Sequence, residues 1–187
     1  WFRGFGMPRI FDNIDEYLAE ALQHSLSKAK RADFCVGYFN LRGWKEIDAQ
    51  IENFEGTADN QCRLLVGMAL SDEVELRRAL SAAPPDRIDQ SKAIKLKKDL
   101  AKAFRNQLCY GVPSDADEAG LRRLLRQLRG GKVVVKLFTS YPLHAKLYLA
   151  FRDDSDNPAI GYVGSSNLTF SGLGKQGELN VDVLDHD

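Results

Sequence analysis

Six short runs constrain this chain more than any other feature. They are "DFCVGYF" at 33–39, "CRLLVGMAL" at 62–70, "KVVVKLF" at 132–138, "AKLYLAF" at 145–151, "AIGYVG" at 159–164 and "ELNVDVL" at 178–184. Short runs rich in β-branched and aromatic residues, bounded by turn formers, read as strands. The first three alternate with helical patterns and the last three follow one another closely. That order predicts an α/β domain with a mixed sheet and helices on both faces. At 187 residues the chain is long enough for one domain with a real core.

Between the strands the period changes. Residues 12–31 place Ile14, Tyr17, Leu18, Ala21, Leu22, Ser25, Leu26 and Ala29 at helical spacing, with Asp12 or Asn13 as the cap. "LRGWKEIDAQIENF" after the first strand also looks helical. A short helix is expected to open at Ser71 or Asp72, and Pro84 and Pro85 then break the chain. A long basic helix follows at about 89–109 and another at about 115–129. In the latter, Leu121, Leu124, Leu125 and Leu128 form one stripe, with Arg122, Arg123, Arg126 and Arg129 opposite. The whole chain, 1–187, reads as a single domain with 84–130 as a helical, basic elaboration.

Composition narrows the function. No apolar run reaches 18 residues, so no membrane span is expected, and the first residues contain no secretory h-region. Met7 can serve as a native start after six extra residues. Cys35, Cys62 and Cys109 form no C-x-x-C pair, so no structural zinc is expected. They read as buried free thiols of a cytoplasmic protein. The formal charge sums to zero, yet residues 90–136 carry twelve Lys and Arg against four Asp and Glu. That stretch is a candidate phosphate-facing surface, and Arg122, Arg123, Arg126 and Arg129 are its candidate nucleic-acid contacts.

The chemistry concentrates in "LHAKLYLAF" and "GYVGSSNLTFSGL". On a strand, residues two apart share a face. Ala145, Leu147, Leu149 and Phe151 are apolar and are expected to face the core, leaving His144 and Lys146 together on the other side. Glu178, Asn180 and Asp182 alternate with Leu179, Val181 and Val183 in the same way. If the two strands are neighbours, Glu178 can approach His144. The Gly164-Ser165-Ser166-Asn167 turn delivers Ser165 and Asn167 at a strand end, where Asn167 can cap a short helix or donate to an anion. Gly164 permits close backbone approach, and Ser166 reads as turn filler. The set is a phosphate site with a nucleophile in it. Lys146, Ser165 and Asn167 hold the oxygens, His144 Nε2 attacks phosphorus, and Glu178 holds Nδ1–H. Tyr38 and Trp44, at "GYFNLRGW", read as packing residues, with lining of the cleft as the alternative.

His144-Ala-Lys146, then Gly164-Ser165-Ser166-Asn167, then Glu178 in order resembles the phospholipase D superfamily. The resemblance covers about 40 residues, and its ordered combination is what makes it specific. Phe151 stands five positions after Lys146, where the family usually has Asp, and the insert "RDDSDNP" is longer than usual. The resemblance implies a phospholipase D-like α/β/α sandwich and metal-independent phosphodiester chemistry through a phosphohistidine. It also implies a second His to protonate the leaving oxygen. The chain has one H-x-K motif, and His24 and His186 sit in no such context, so a homodimer is expected to supply the second His144, with a second half beyond Asp187 as the alternative. "ADFCVGYFNLRGW" with the later motifs resembles, more narrowly, the phospholipase D-like domains found beside superfamily II helicase modules. No G-K-[ST] phosphate loop is present, so fused helicase domains would lie elsewhere on a longer polypeptide. The expected substrate is DNA. A non-catalytic nucleic-acid-binding module is the alternative, and a phospholipase or phosphatidyl transferase is less favoured.

Overall fold

A computed structural model of the protein describes residues 8–67, 115–138 and 143–184, with five separate positions between 94 and 106. The helix expected at Ser71 or Asp72, the break at Pro84 and Pro85, most of the 89–109 helix, Met7, Cys109 and His186 lie outside the described residues. Within them runs one seven-stranded mixed sheet in the order β1 (Ile10–Phe11), β7 (Asn180–Leu184), β6 (Ala159–Gly164), β5 (Lys146–Phe151), β2 (Arg31–Val36), β3 (Cys62–Gly67), β4 (Val133–Phe138). Strands β2, β3 and β4 are parallel, and the remaining pairings are antiparallel. The helices are α1 (Leu18–Ser27), α2 (Leu41–Lys45), α3 (Asp48–Ile51), α4 (Asp115–Arg129) and α5 (Phe170–Gly174).

All six expected strands form, and the short β1 adds a seventh. The first ends at Val36 rather than Phe39, because Gly37 turns the chain into a loop, and the last begins at Asn180 rather than Glu178. Helix α1 starts six residues later than its periodicity suggests. Asp12 Oδ1 accepts the N–H groups of Ile14 (2.8 Å) and Asp15 (3.0 Å), and Asn13 adopts a left-handed φ of 60°. Those bonds offer the backbone an alternative to the helix. Asn13 still serves the helix from outside, since its Oδ1 accepts from Leu18 N at 3.1 Å. The run "LRGWKEIDAQIENF" divides into α2 and α3, with Asn40 capping α2 through Gly43 N at 2.9 Å.

The core lies on one face of the sheet. Phe34, Leu64, Tyr148 and Tyr162 are buried there under Leu18, Leu22 and Leu26 of α1, with Trp44, Ile47 and Ile51 of the α2–α3 stretch. Each such side chain contributes about 1.5–3 kcal/mol over its exposed state. The described helices all pack on this face.

Two facial assignments are reversed. In β5 the buried residues are Tyr148 and Ala150, Leu147 and Leu149 are half-buried, and Ala145 is exposed. In β7 the polar Asn180 and Asp182 point inward, while Leu179 and Val183 are exposed. The inward polar groups survive because each has partners. Tyr148 Oη donates to Ser166 O at 2.9 Å, and Asp182 Oδ1 accepts from Arg9 N at 2.6 Å.

Helix α4 forms where expected, but it docks differently. Leu124 is buried, whereas Leu121, Leu125 and Leu128 are exposed. Its inner side includes Gln127, fully buried, which accepts the Trp44 indole N–H at 2.9 Å and donates to Asp48 O at 2.8 Å. Arg123 joins that side through Asp48 at 2.8 Å. Burial pushes the Asp48 carboxyl above its ordinary pKa, with Arg123 opposing the shift. Polar pairing, rather than the leucine stripe, decides the rotation of this helix.

Candidate active site

The topology brings distant segments to one edge of the sheet. Parallel strands β2, β3 and β4 end there, β6 ends there, and antiparallel β5 and β7 begin there. Crevices at the carboxyl ends of parallel strands are where open α/β sheets hold ligands. The edge collects Gly37 after β2, Gly67 ending β3, His144 and Lys146 at the start of β5, Ser165–Asn167 after β6, and Glu178 before β7.

Two glycines seat the His144 segment. A Cβ on Gly67 would lie 2.6 Å from Leu143 O, and one on Gly37 would lie 2.9 Å from the same oxygen. No side chain fits at either place, so the loop leaving β2 and the end of β3 can admit the 143–144 backbone only where they lack a Cβ. The Gly37 position also locates the site's centre. Asn167 Oδ1 lies 3.3 Å and His144 Cα 3.8 Å from the point where that Cβ would stand. Residues 23 positions apart in sequence are thereby brought to the same spot.

Asn167 is held by its acceptor end, since the Tyr38 N–H donates to Oδ1 at 2.9 Å. Its NH₂ is therefore the end left to donate to a ligand. The loop after β2 clasps the loop after β6 further on: Leu168 N donates to Tyr38 O at 3.1 Å, and Asn40 N donates to Leu168 O at 3.1 Å. Thr169, not Asn167, caps the short helix α5, its Oγ1 accepting from Gly172 N at 3.0 Å.

His144 is exposed, and its ring has no hydrogen-bond partner among the described residues. Lys146 is half-buried, and its Nζ donates to His144 O at 2.8 Å, which places the ammonium beside the imidazole segment. Ser165 is differently occupied from the expectation. Its hydroxyl donates to Glu178 Oε2 and accepts from Leu179 N at 3.0 Å, so its one proton already has a partner. Strand β6 intervenes between β5 and β7, so the condition for Glu178 to reach His144 as a strand neighbour is not met. Glu178 meets Ser165 instead. Gly164 approaches its own neighbour strand rather than a ligand, since a Cβ there would stand 2.2 Å from Leu179 O.

Several candidates stay outside this edge. Phe151, at the position of the family's usual Asp, lies at the far end of β5 beneath the Arg31 guanidinium, 3.9 Å from the ring centre. Arg122 pairs with Glu118 on its own helix and Arg123 with Asp48, while Arg126 and Arg129 are exposed. His24 sits on α1, with Lys28 Nζ 3.1 Å from its Nε2.

The residues that sequence reasoning missed are the ones behind the turn. Ser166 is fully buried, Asn180 is 1% exposed and Tyr148 is 1% exposed. Burial first, and the Glu178 charge second, push the Tyr148 phenol well above its ordinary pKa, so it stays a donor at neutral pH. The doubled serine in "GSSN" and the inward asparagine of "ELNVDV" were the available signals. No cluster of three metal-ligating side chains occurs among the described residues, nor any helix long and apolar enough to cross a membrane.

Neither a family model nor a curated protein matches the sequence. Solved structures are similar to this chain, and the first of the following shares its fold. Phosphatidylserine synthase from Haemophilus influenzae Rd KW20 aligns over 95% of this chain, with a TM-score of 0.50 at 18% identity. This chain spans 34% of that one. Nuc from Salmonella typhimurium, a phospholipase D family member, aligns over 96% of this chain and 83% of its own, with a TM-score of 0.49 at 10% identity. Yeast tyrosyl-DNA phosphodiesterase aligns over 94% of this chain and 32% of its own, with a TM-score of 0.41 at 10% identity.

Proposed function

From the phospholipase D-like α/β fold of this chain, we propose that the edge holding His144 is a metal-independent phosphodiesterase centre that cleaves DNA. The observation that carries the reading is the approach of the His144 backbone and the Asn167 side chain to one point at Gly37. An exposed imidazole, an adjacent ammonium and a free amide NH₂ suit a phosphoryl group, whose charge needs donors and whose phosphorus needs a nucleophile.

In the proposed reaction Lys146 and Asn167 bind the non-bridging oxygens. His144 Nε2 forms a bond to phosphorus while the bond to the leaving oxygen breaks. The His144 of a second copy protonates that oxygen, then takes a proton from water. The hydroxide attacks phosphorus, the P–N bond breaks and His144 is restored. Glu178 acts through Ser165, whose hydroxyl donates to it beside the turn that carries Asn167. One chain supplies one His144, so the scheme needs a two-fold dimer. Val163 and Leu179, 49% and 59% exposed, flank the turn where such a contact would cover them. The basic 90–136 stretch supports a nucleic-acid substrate through phosphate attraction. Helicase modules on the same polypeptide belong to this reading as its biological setting.

Plasmid nicking in excess EDTA tests it. The wild-type protein is expected to nick, and His144→Ala to lose activity by more than about a thousandfold, as removal of a nucleophile does. Binding without nicking in both proteins would instead support a non-catalytic DNA-binding module. Sedimentation is expected to show a dimer, and a strict monomer at high concentration would leave the centre without its second histidine.

A further inference from the structure

The turn that carries Ser165 and Asn167 belongs to no helix or strand, yet its middle residue has no freedom. Ser166 N donates to Asn180 Oδ1 at 3.3 Å. Its Oγ accepts from Asn180 Nδ2 at 2.8 Å. Its carbonyl accepts from Tyr148 Oη at 2.9 Å. The N–H, the hydroxyl oxygen and the carbonyl of Ser166 are therefore engaged by two buried side chains, one from β7 and one from β5. Asn180 Nδ2 also donates to Phe11 O at 3.3 Å, which ties the arrangement to β1. Buried hydrogen bonds of this kind specify a unique geometry, because a lost partner leaves a desolvated polar group.

We infer that Tyr148 and Asn180 are positioning residues that hold Asn167 against the His144 segment by fixing Ser166. Neither touches the reacting atoms. The two flanking residues reach the site from Ser166, Ser165 toward Glu178 and Asn167 toward the Tyr38 N–H at Gly37. Loosening Ser166 moves both. The inference concerns the site proposed above, but its geometric part does not depend on hydrolysis. The Tyr38 N–H has the Asn167 side chain as its acceptor, so its hydrogen exchange reports where Asn167 sits.

The test uses Tyr148→Phe, which removes one hydroxyl in the same shape, and Asn180→Asp, which removes both amide donors. Tyr38 N–H is expected to lose at least about tenfold of its exchange protection relative to the strand-centre amide of Phe34, through local opening rather than global unfolding. In parallel, kcat for nicking is expected to fall about ten- to a hundredfold with KM within about twofold, as for a misplaced group that acts in the transition state. Unchanged Tyr38 protection would overturn the inference, as would lost protection with unchanged kcat. Equal loss at Tyr38 and Phe34 would also overturn it, since that is general destabilisation. If the wild-type protein does not nick DNA, the phosphodiesterase reading fails separately. The exchange ratio, with the affinity for inorganic phosphate read at the Asn167 side-chain amide, then decides the inference. At least about tenfold weaker phosphate binding in both variants is expected, and equal affinity overturns it.

Discussion

Two neighbouring rows of residues cross the same strands and meet opposite fates. One row runs Leu64, Phe34, Tyr148, Tyr162, Asp182, and all five are buried. The next runs Leu65, Cys35, Leu147, Val163, Val181, Ile10, and it is half-buried to exposed, with Ile10 at 58%. The buried row holds two phenols and a carboxylate, and the other is aliphatic apart from a thiol. Hydropathy alone would have reversed them. The helices decide: α1, α2 and α3 lie on the first row's side, and its polar atoms are hydrogen-bonded rather than left bare. Tyr162 Oη meets Ser25 Oγ at 2.8 Å, and Tyr148 Oη meets the Ser166 carbonyl. Burial in this sheet follows what packs on it and which polar groups find partners.

The comparison can be broken most forcefully under the helices. Trp44→Ala removes a fully buried indole and leaves Gln127 Oε1 without its donor, so it is expected to cost about 3–5 kcal/mol in denaturant unfolding. A smaller loss would mean the helical layer is loosely packed. A sharper probe applies one change to both faces. Val36→Thr places a hydroxyl in the core and is expected to cost about 1–3 kcal/mol. Val183→Thr, on the other face, is expected to stay within about 0.5 kcal/mol. Equal costs would abolish the distinction.

The thiols divide the same way. In a Cys109→Ser background, half-buried Cys35 should label slowly in the native protein, while Cys62 on the helix side should label only on unfolding. Burial raises both thiol pKa values, so the Cys35 rate should continue to climb with pH above the ordinary thiol range. Equal native rates would contradict the two-face picture. The smallest effect lies at the rim, where N–H groups of Ile14 and Asp15 hold the Asp12 carboxyl below its ordinary pKa. A depressed folded-state pKa adds stability above the ordinary carboxylate pKa, and that stability is lost as pH falls through the depressed value. The melting curves of Asp12→Ala and wild type should therefore converge in acid. A constant gap at all pH values would show that the turn does not depend on that charge.

How much of this was legible from residues alone varied with the kind of signal. The strand runs were legible because β-branched clusters between turn formers leave few alternatives. The α4 span was legible from its period, but its rotation was not, because Gln127 and Arg123 outcompete three leucines through partners 75 to 83 residues away. The grouping of His144 with Lys146 was legible from their spacing. The roles of Ser165 and Ser166 were not, because adjacent serines look alike until their neighbours are known. One faces a glutamate at the surface, and the other is sealed between Tyr148 and Asn180.

By itself the sequence determined which segments become strands and that one histidine, one lysine and one Gly-Ser-Ser-Asn turn fall at strand ends. Such choices rest on local sterics and spacing, which act within a few residues. Only the tertiary structure decided which face of the sheet is interior, and that Gly37 and Gly67 open the gap where His144 meets Asn167. Those outcomes depend on backbones from distant segments sharing one space, and no local pattern encodes that contact.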